Sequence, residues 1–482
     1  MTMRAAAILC SALTALGTIG LAACSSPPPA TEAQTAAPAA APAPHREQAL
    51  LEDLALGNRI LARQLEILDI QGHLTARSLD TPDHYYIARF VSPGGASVGD
   101  FVENTLESVP VDGPRTDQAR EIYLHGEIYK ARPDVMAVVH AHTPEYVAFA
   151  MSSVPLWDGD SRVPVWDIRP FNKGRSGIVT PALGKAMAEG MGKSRAVLLW
   201  GHGIALGGTS VADAIVQADA LRDSAQLQQA AAAKGGSWKP EARTADRAAA
   251  DQNWMAMRQE ELKRTGGRVP AVPEPTPEKP VDADKAAAHD LMLANRILAD
   301  ELEILDPMGH VSMRHPTDPN SYLIAAGAAP GAVTIGNITQ QNLNAAPADA
   351  RLAVHHEIYK AQPNAKAVLF AHTPEVMAFA KGSPPLRPVV NGGAFLGNSP
   401  SIFKGDGYVL TAGSIYNLVD RAYQVRQNAI VQRQIIGLRG RVAYLNERPA
   451  EPASPNEPQA PAPTGPAEGR AWIYWSQNVS LE

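Results

Sequence analysis

His140 and His142 stand two residues apart in Ala137-Val138-Val139-His140-Ala141-His142, a β-branched run that predicts a strand. Side chains two apart on a strand share a face, so both imidazoles project to one side, about 7 Å apart along the chain. That suits two ligands of one divalent ion. His202 follows in Trp200-Gly201-His202-Gly203, where the flanking glycines let the backbone bring a third imidazole close to another site. Glu121 falls on the helix predicted before the strand. Three neutral imidazoles with one open position form the catalytic arrangement for zinc, not the closed structural one. On spacing alone, surface or core histidines are the alternative.

The rest of the composition narrows the chemistry. The only cysteines are Cys10 and Cys24, so an ion in the body of the chain must be held by His, Asp or Glu. With 482 residues, 45% of them hydrophobic and 19% charged, the chain can bury real cores in two to four domains. A net charge of -6 with no basic stripe argues against a nucleic-acid partner. A small-molecule substrate is expected.

The first residues read as an address. Arg4 precedes the apolar run 5–21, which is too short and weak for a membrane span. The run ends in Leu21-Ala22-Ala23-Cys24, then Ser25-Ser26, which resembles the bacterial lipobox. The expectation is an exported protein facing the periplasm, held to the membrane only by a lipid on Cys24. Residues 25–46 read as an Ala/Pro-rich tether.

The positioning elements occur twice. Residues 58–77 match 295–314 at 13 of 20 positions, and 121–150 match 351–380 at 17 of 30. The chain is a tandem duplication, with domains expected at 47–263 and 284–482, joined by 264–283 and interrupted by a Pro-rich stretch at 449–468. Each copy reads as α/β. In the first, helices are predicted over 47–68 and 118–131, with strands over 85–89, 137–142 and 196–200. Thr143-Pro144 begins another helix, and Ser210-Val211-Ala212-Asp213 caps a long one. The Trp472–Trp475 tail reads as a docking helix or strand, the counterpart of the helix carrying Trp254.

His140-Ala-His142 with Glu121 before and His202 after resembles the class II aldolase/adducin family. Gly126-Glu-Ile-Tyr-Lys-Ala-Arg-Pro-Asp134 and Leu198-Leu-Trp-Gly-His-Gly203 carry the same resemblance, over 57–230 in full and 294–438 in degraded form. It implies tandem three-layer α/β/α sandwiches with a mixed, largely antiparallel sheet. It implies one divalent ion, most simply zinc, on His140, His142 and His202, with Glu121 as acid/base. Family sites lie between subunits of a fourfold ring. Copy two is therefore expected to pack on copy one as a neighbouring subunit would, and two chains to form a homo-oligomer.

The implied reaction is metal-assisted carbon–carbon cleavage, a retro-aldol release of an aldehyde from a non-phosphorylated hydroxy-carbonyl or hydroxy-acid substrate, aromatic ones included, with decarboxylation of a hydroxylated acid as the alternative. A non-catalytic, adducin-like binding lipoprotein is the alternative of a different class. Sugar-phosphate aldolases of the family have Gly-Asn where this chain has Gly72-His73, and a Ser-Ser pair where Arg120 stands. Gly-His, Glu-Ile-Tyr-Leu-His and Asp167-Ile168-Arg169 look more like members acting on hydroxylated acids. His73, Arg89 and Ser92 are candidate contacts for a substrate anion; a surface or structural role is the alternative. His125 recurs as His355 and reads as structural.

Copy two lacks the site. Glu121 becomes Arg351, His140 becomes Phe370, and Gly201-His202-Gly203 becomes Gly405-Asp406-Gly407; only His142 survives, as His372. Arg89 and Ser92 become Ala326 and Ala329. A buried Arg351 is expected to repel a cation there.

Overall fold

Alternation along the central strand sets the layers. In the computed structural model, β4 (Ala137–Ala141) sends Ala137, Val139 and Ala141 into one buried apolar cluster and Val138 into another. Residues on one side of a strand share a face, so His140 follows Val138. The structure describes residues 44–169, 177–241, 247–273, 275, 278–325, 327–347, 349–382, 384–397, 402–445 and 469–480. The export segment, most of the tether, Ala326 and the Pro-rich stretch lie outside them. Among the described residues, no helix is long and apolar enough to cross a membrane.

Copy one contains β1 (His73–Arg77), β2 (His84–Ala88), β3 (Phe101–Thr105), β4, β5 (Val165–Trp166), β6 (Ala196–Leu199) and β7 (Gly203–Gly208). They form one sheet in the order β3-β2-β1-β4-β7-β6-β5. Only the β5–β6 pair is parallel. Helices α1 (Pro44–Arg63), α3 (Pro144–Ala150), α5 (Val211–Ala233) and α6 (Arg247–Arg264) cover one face. Helices α2 (Ile122–Ala131) and α4 (Pro181–Met191) cover the other. This is the expected three-layer arrangement.

Local chemistry accounts for the ends. Ser210 Oγ accepts from the Asp213 N–H at 3.0 Å, and Asp213 Oδ2 accepts from the Thr209 N–H at 2.8 Å. Such a cap contributes about 1 kcal/mol. Helix α2 starts later than its sequence suggests. Gln118 is in an extended bridge with Arg89, and its amide donates to Asn104, so the helix begins only at Ile122. Glu121 therefore sits just ahead of the helix, with a side chain that caps nothing.

Copy two repeats the plan with β8 (His310–Arg314), β9 (Ser321–Ala325), β10 (Ile338–Asn342), β11 (Ala367–Ala371), β12 (Phe403–Lys404) and β13 (Gly407–Ala412). The sheet order is β10-β9-β8-β11-β13-β12. Its helices are α7 (Ala283–Arg296), α8 (Ala353–Ala361), α9 (Pro374–Met377), α10 (Ile415–Gly437) and α11 (Gly469–Asn478). Register is kept: His73 pairs with His140, and His310 with Phe370. The Thr75–His125–Tyr129 hydrogen-bonded triplet recurs as Ser312–His355–Tyr359, which supports the structural reading of His125.

The copies share a core. Val431, Ile435 and Leu438, at the end of α10 and just beyond, join Val389 and Tyr444 in the apolar cluster of copy one. Ile70 of copy one joins that of copy two. The Ala443 N–H donates to the Met151 carbonyl at 2.9 Å, and the Ser153 N–H to Arg441 at 3.2 Å. Trp254 packs into copy one; Trp472 and Trp475 pack into copy two from a helix.

Candidate metal centre

The sheet brings three imidazoles to one point. Nε2 of His140 lies 3.1 Å from Nε2 of His142 and 3.2 Å from Nε2 of His202; the third separation is 3.3 Å. Three corners of a tetrahedron around zinc, at 2.0–2.1 Å per bond, would be about 3.3 Å apart. Three nitrogen lone pairs this close repel one another unless a cation sits among them, so the donor set fits a divalent ion. With Glu121 added, one ligand atom from each of the four residues lies within 4.8 Å of every other. Among the described residues no second such group converges.

The outer nitrogens are held so that Nε2 stays free. His140 Nδ1 donates to the Ile204 carbonyl at 2.9 Å, and His142 Nδ1 to Asp69 Oδ1 at 2.9 Å. His202 sits after Gly201, whose φ of +66° is natural for glycine. The Asn391 amide of copy two lies 3.0 Å from His202 Nδ1. With the amide oxygen turned to the ring, Nδ1–H donates there, as for the other two ligands.

Glu121 is pinned against this triangle. Its Oε1 accepts from the Ile178 N–H at 2.7 Å and lies 3.2 Å from His202 Nε2; Oε2 lies 3.2 Å from His140 Nε2. Gly177, at φ +91°, lets the backbone close over the carboxylate; a Cβ there would fall 2.9 Å from Oε1. Burial opposes ionisation of Glu121, but His202 and His140 outweigh it and hold the carboxyl well below its usual range. Burial lowers His140. It would also lower His142, but the Asp69 carboxylate wins and raises it.

The three expected anion contacts part ways. His73 is 5% exposed, stacks on His140 with ring centroids 6.0 Å apart, and has no hydrogen-bond partner on either ring nitrogen among the described residues. Burial holds it well below its ordinary value, aided by His125, Arg470 and His140. Ser92 lines the cavity in front of the metal centre. Arg89 does not. Its Nε donates to the fully buried Asp100 Oδ1 at 2.7 Å, which turns the guanidinium to a structural ion pair. Sequence reasoning missed Asp69 and Asn391, whose contacts with His142 and His202 are made across the fold and leave no local signal.

The cavity holds about 840 Å³ and lies between the copies. Asp69, Arg120, Glu121, His142 and His202 line it from copy one; Asn391, Tyr423, Gln424 and Tyr474 line it from copy two.

Among the described residues, the corresponding place in copy two holds no such centre. Phe370 stacks on His310 at 5.7 Å, as His140 does on His73. His372 keeps the bond to Asp306, at 3.3 Å, but its Nε2 faces only Asp406 at 3.9 Å. Arg351 corrects an expectation: its side chain is 60% exposed and paired with Asp349, so it is not buried beside the old site. The cause is local, since Asp349 stands two residues away and draws the guanidinium outward.

Several known proteins are similar to this chain. The Decarboxylase tropJ of Talaromyces stipitatus is 27% identical over 206 residues, 37% of this chain and 77% of that protein. A 3,4-dihydroxyphthalate decarboxylase of Arthrobacter keyseri is 28% identical over 206 residues, 39% of this chain and 81% of that protein. A crystal structure of an aldolase II superfamily protein from Pseudomonas syringae matches with TM-score 0.40 at 23% identity, covering 47% of this chain and 96% of that one. Residues 52–229 and again 289–414 match the family described as Class II Aldolase and Adducin N-terminal domain. Two matches, one to each copy and together more than half of the sequence, place the whole chain in the class II aldolase/adducin family.

Proposed function

We propose that the protein is a metal-dependent carbon–carbon lyase acting on a non-phosphorylated hydroxy-acid or hydroxy-carbonyl compound, with its one working site in copy one. The observation that carries this is the triangle of Nε2 atoms with the Glu121 carboxylate against it, kept in one copy and absent from the other. His140, His142 and His202 would hold the ion, zinc being the simplest fit to three imidazoles. The ion supplies Lewis-acid stabilisation of negative charge developing on substrate oxygens.

The protein's own residues do the rest. His140 and His142 are oriented by Ile204 and Asp69, His202 by Asn391. The Ile178 N–H anchors Glu121 Oε1, which leaves Oε2 to carry the proton. Oε2, ionised in the free protein, would take the proton of a substrate hydroxyl and return it to the carbon that keeps the electron pair when the bond to the departing aldehyde or carbon dioxide breaks.

The two similar proteins named as decarboxylases, one for 3,4-dihydroxyphthalate, support loss of carbon dioxide from a hydroxylated aromatic acid. Retro-aldol release of an aldehyde would use the same residues. The test is a screen of zinc-loaded full chain against hydroxy-acids and hydroxy-ketones, aromatic ones included, scored for carbon dioxide or aldehyde. Turnover lost in Glu121→Ala supports the reading; no turnover on any of them by metal-loaded protein counts against it.

Leu21-Ala22-Ala23-Cys24 supports a second, separate part of the proposal, that the enzyme is exported and lipid-anchored. Cys24→Ala should leave the enzyme folded but free of the membrane fraction. Full membrane partition of that variant would overturn the anchor.

A further inference from the structure

Copy two walls the cavity with one face of α10. Tyr423, Gln427, Ile430 and Gln434 fall at i, i+4, i+7 and i+11, the spacing of a single helix stripe, and all four line the cavity. Close approach fixes which end of the stripe lies at the metal centre. Asn391 reaches His202, and a Cβ on the next residue, Gly392, would collide with Gln424 Oε1. From Gly392 the chain runs back along the helix: the Val389 N–H donates to Asn428 Oδ1 at 2.8 Å, and the Arg387 N–H to Gln432 Oε1 at 2.8 Å. Gln434 therefore lies ten residues beyond the metal end, about 15 Å at 1.5 Å per residue.

That run is longer than the chemistry at the ion requires, since a hydroxylated ring with one acid group spans about half of it. Pockets of about 300–1,000 Å³ take drug-sized ligands, and this one holds about 840 Å³. The lining says what the extra length accepts. Besides Arg120, next to Glu121, the arginines that line the cavity are Arg222 and Arg426. Arg222 stands 3.7 Å from Glu145, and Arg426 3.1 Å from Glu375 and 3.4 Å from Glu303. No cation along the run is left for an anion. The amide nitrogens of Gln427 and Gln434 donate to nothing among the described residues, and neither is sealed off from the cavity. The same stripe in copy one reads Asp219, Asp223, Gln226 and Ala230, so copy two has a phenol and an amide where copy one has two carboxylates.

We infer that the substrate is elongated, with a hydroxylated head at the metal centre and a neutral, oxygen-bearing tail laid along α10, where Gln427 and Gln434 donate to it. The degenerate copy is then the element that selects the substrate for the intact one. The inference rests on the lyase reading of the same site. It adds that the part of the substrate which is not cleaved carries hydroxyl, ether or carbonyl oxygens and no charge.

The experiment is calorimetric titration of zinc-loaded full chain with three amides of 3,4-dihydroxybenzoic acid that share the catechol head. They are the plain amide, the amide of glucosamine, whose tail is neutral and hydroxylated, and the amide of glycylglycine, whose tail ends in a carboxylate. Wild type should bind the glucosamine amide at least about tenfold more tightly than the plain amide, and the glycylglycine amide no more tightly than the plain one. Gln427→Leu/Gln434→Leu removes two donors and should cut the glucosamine-to-plain ratio about tenfold. Ile430→Trp, which fills the groove away from the ligands of the ion, should abolish the ratio. A wild-type ratio near one with the plain amide bound, an equal gain from the carboxylate tail, or a ratio unchanged in either variant with metal content intact would overturn the inference and leave the lyase reading standing. Failure of metal-loaded wild type to bind any of the three would overturn both.

Discussion

Asn391 and His202 are 189 residues apart in sequence, yet the amide of one lies 3.0 Å from Nδ1 of the other. The Asn391 N–H also donates to the Gly201 carbonyl at 3.0 Å. Copy two thus grips the turn that carries the third metal ligand from both sides. Loss of such an outer partner typically costs ten- to a hundredfold in metal affinity. Asn391→Ala should therefore weaken zinc binding by about that factor in a chelator competition, with the fold intact by circular dichroism.

Glu121→Gln keeps the shape of the side chain and removes its ability to exchange a proton. General acid–base residues contribute about 10²–10⁴ in rate. We expect kcat to fall within that range, with one ion still bound per chain. A kcat within threefold of wild type would remove Glu121 from the chemistry.

Gly177→Ala probes the same carboxylate from the backbone. The new methyl would fall 2.9 Å from Oε1, at a φ that L-residues resist. Ile178 must then shift, and its N–H no longer anchors Glu121. The expected outcome is a lower kcat with metal affinity within a few-fold of wild type.

Stability should fall in mild acid because of His355. Burial holds this fully buried imidazole at about 3, against an ordinary value near 6.5. Between those values the unfolded chain binds a proton that the native chain refuses, so stability rises with pH. The contribution is complete above about pH 6.5 and is lost as pH falls toward 3. Near pH 5.5 it has dropped by about 1.4 kcal/mol. In urea unfolding, His355→Gln should show a smaller loss between pH 7.5 and 5.5 than wild type, by about that amount. Equal losses would show that His355 does not titrate on unfolding.

Much of the site is legible in the sequence because its signals are local and periodic. His140 and His142 inherit their shared face from strand alternation, and the second copy shows which residues serve packing. Glu121 is legible as a residue but not in its exact place. Gln118 to Arg120 look compatible with a helix, but the pairing of Gln118 with Arg89 and Asn104 keeps Gln118 out of it. Arg89 and Arg470 mark the limit. An arginine at a strand end near the motif suggests an anion contact, but the buried Asp100 eleven residues on claims it. Arg470 sits 378 residues from Ser92, and only the docking of α11 brings its carbonyl to the Ser92 hydroxyl. Contacts made across two separately folded sheets leave no periodic trace in a sequence.

The central claim is that one centre, built on His140, His142 and His202 of copy one, holds the metal. The most direct measurement is divalent metal per chain, by mass spectrometry on washed, zinc-supplied protein. The account gives one ion in wild type, fewer than 0.1 (roughly background) in a His140→Ala/His142→Ala chain, and one in His372→Ala. Two ions in wild type, none after zinc supply, or loss of the ion in His372→Ala would contradict it.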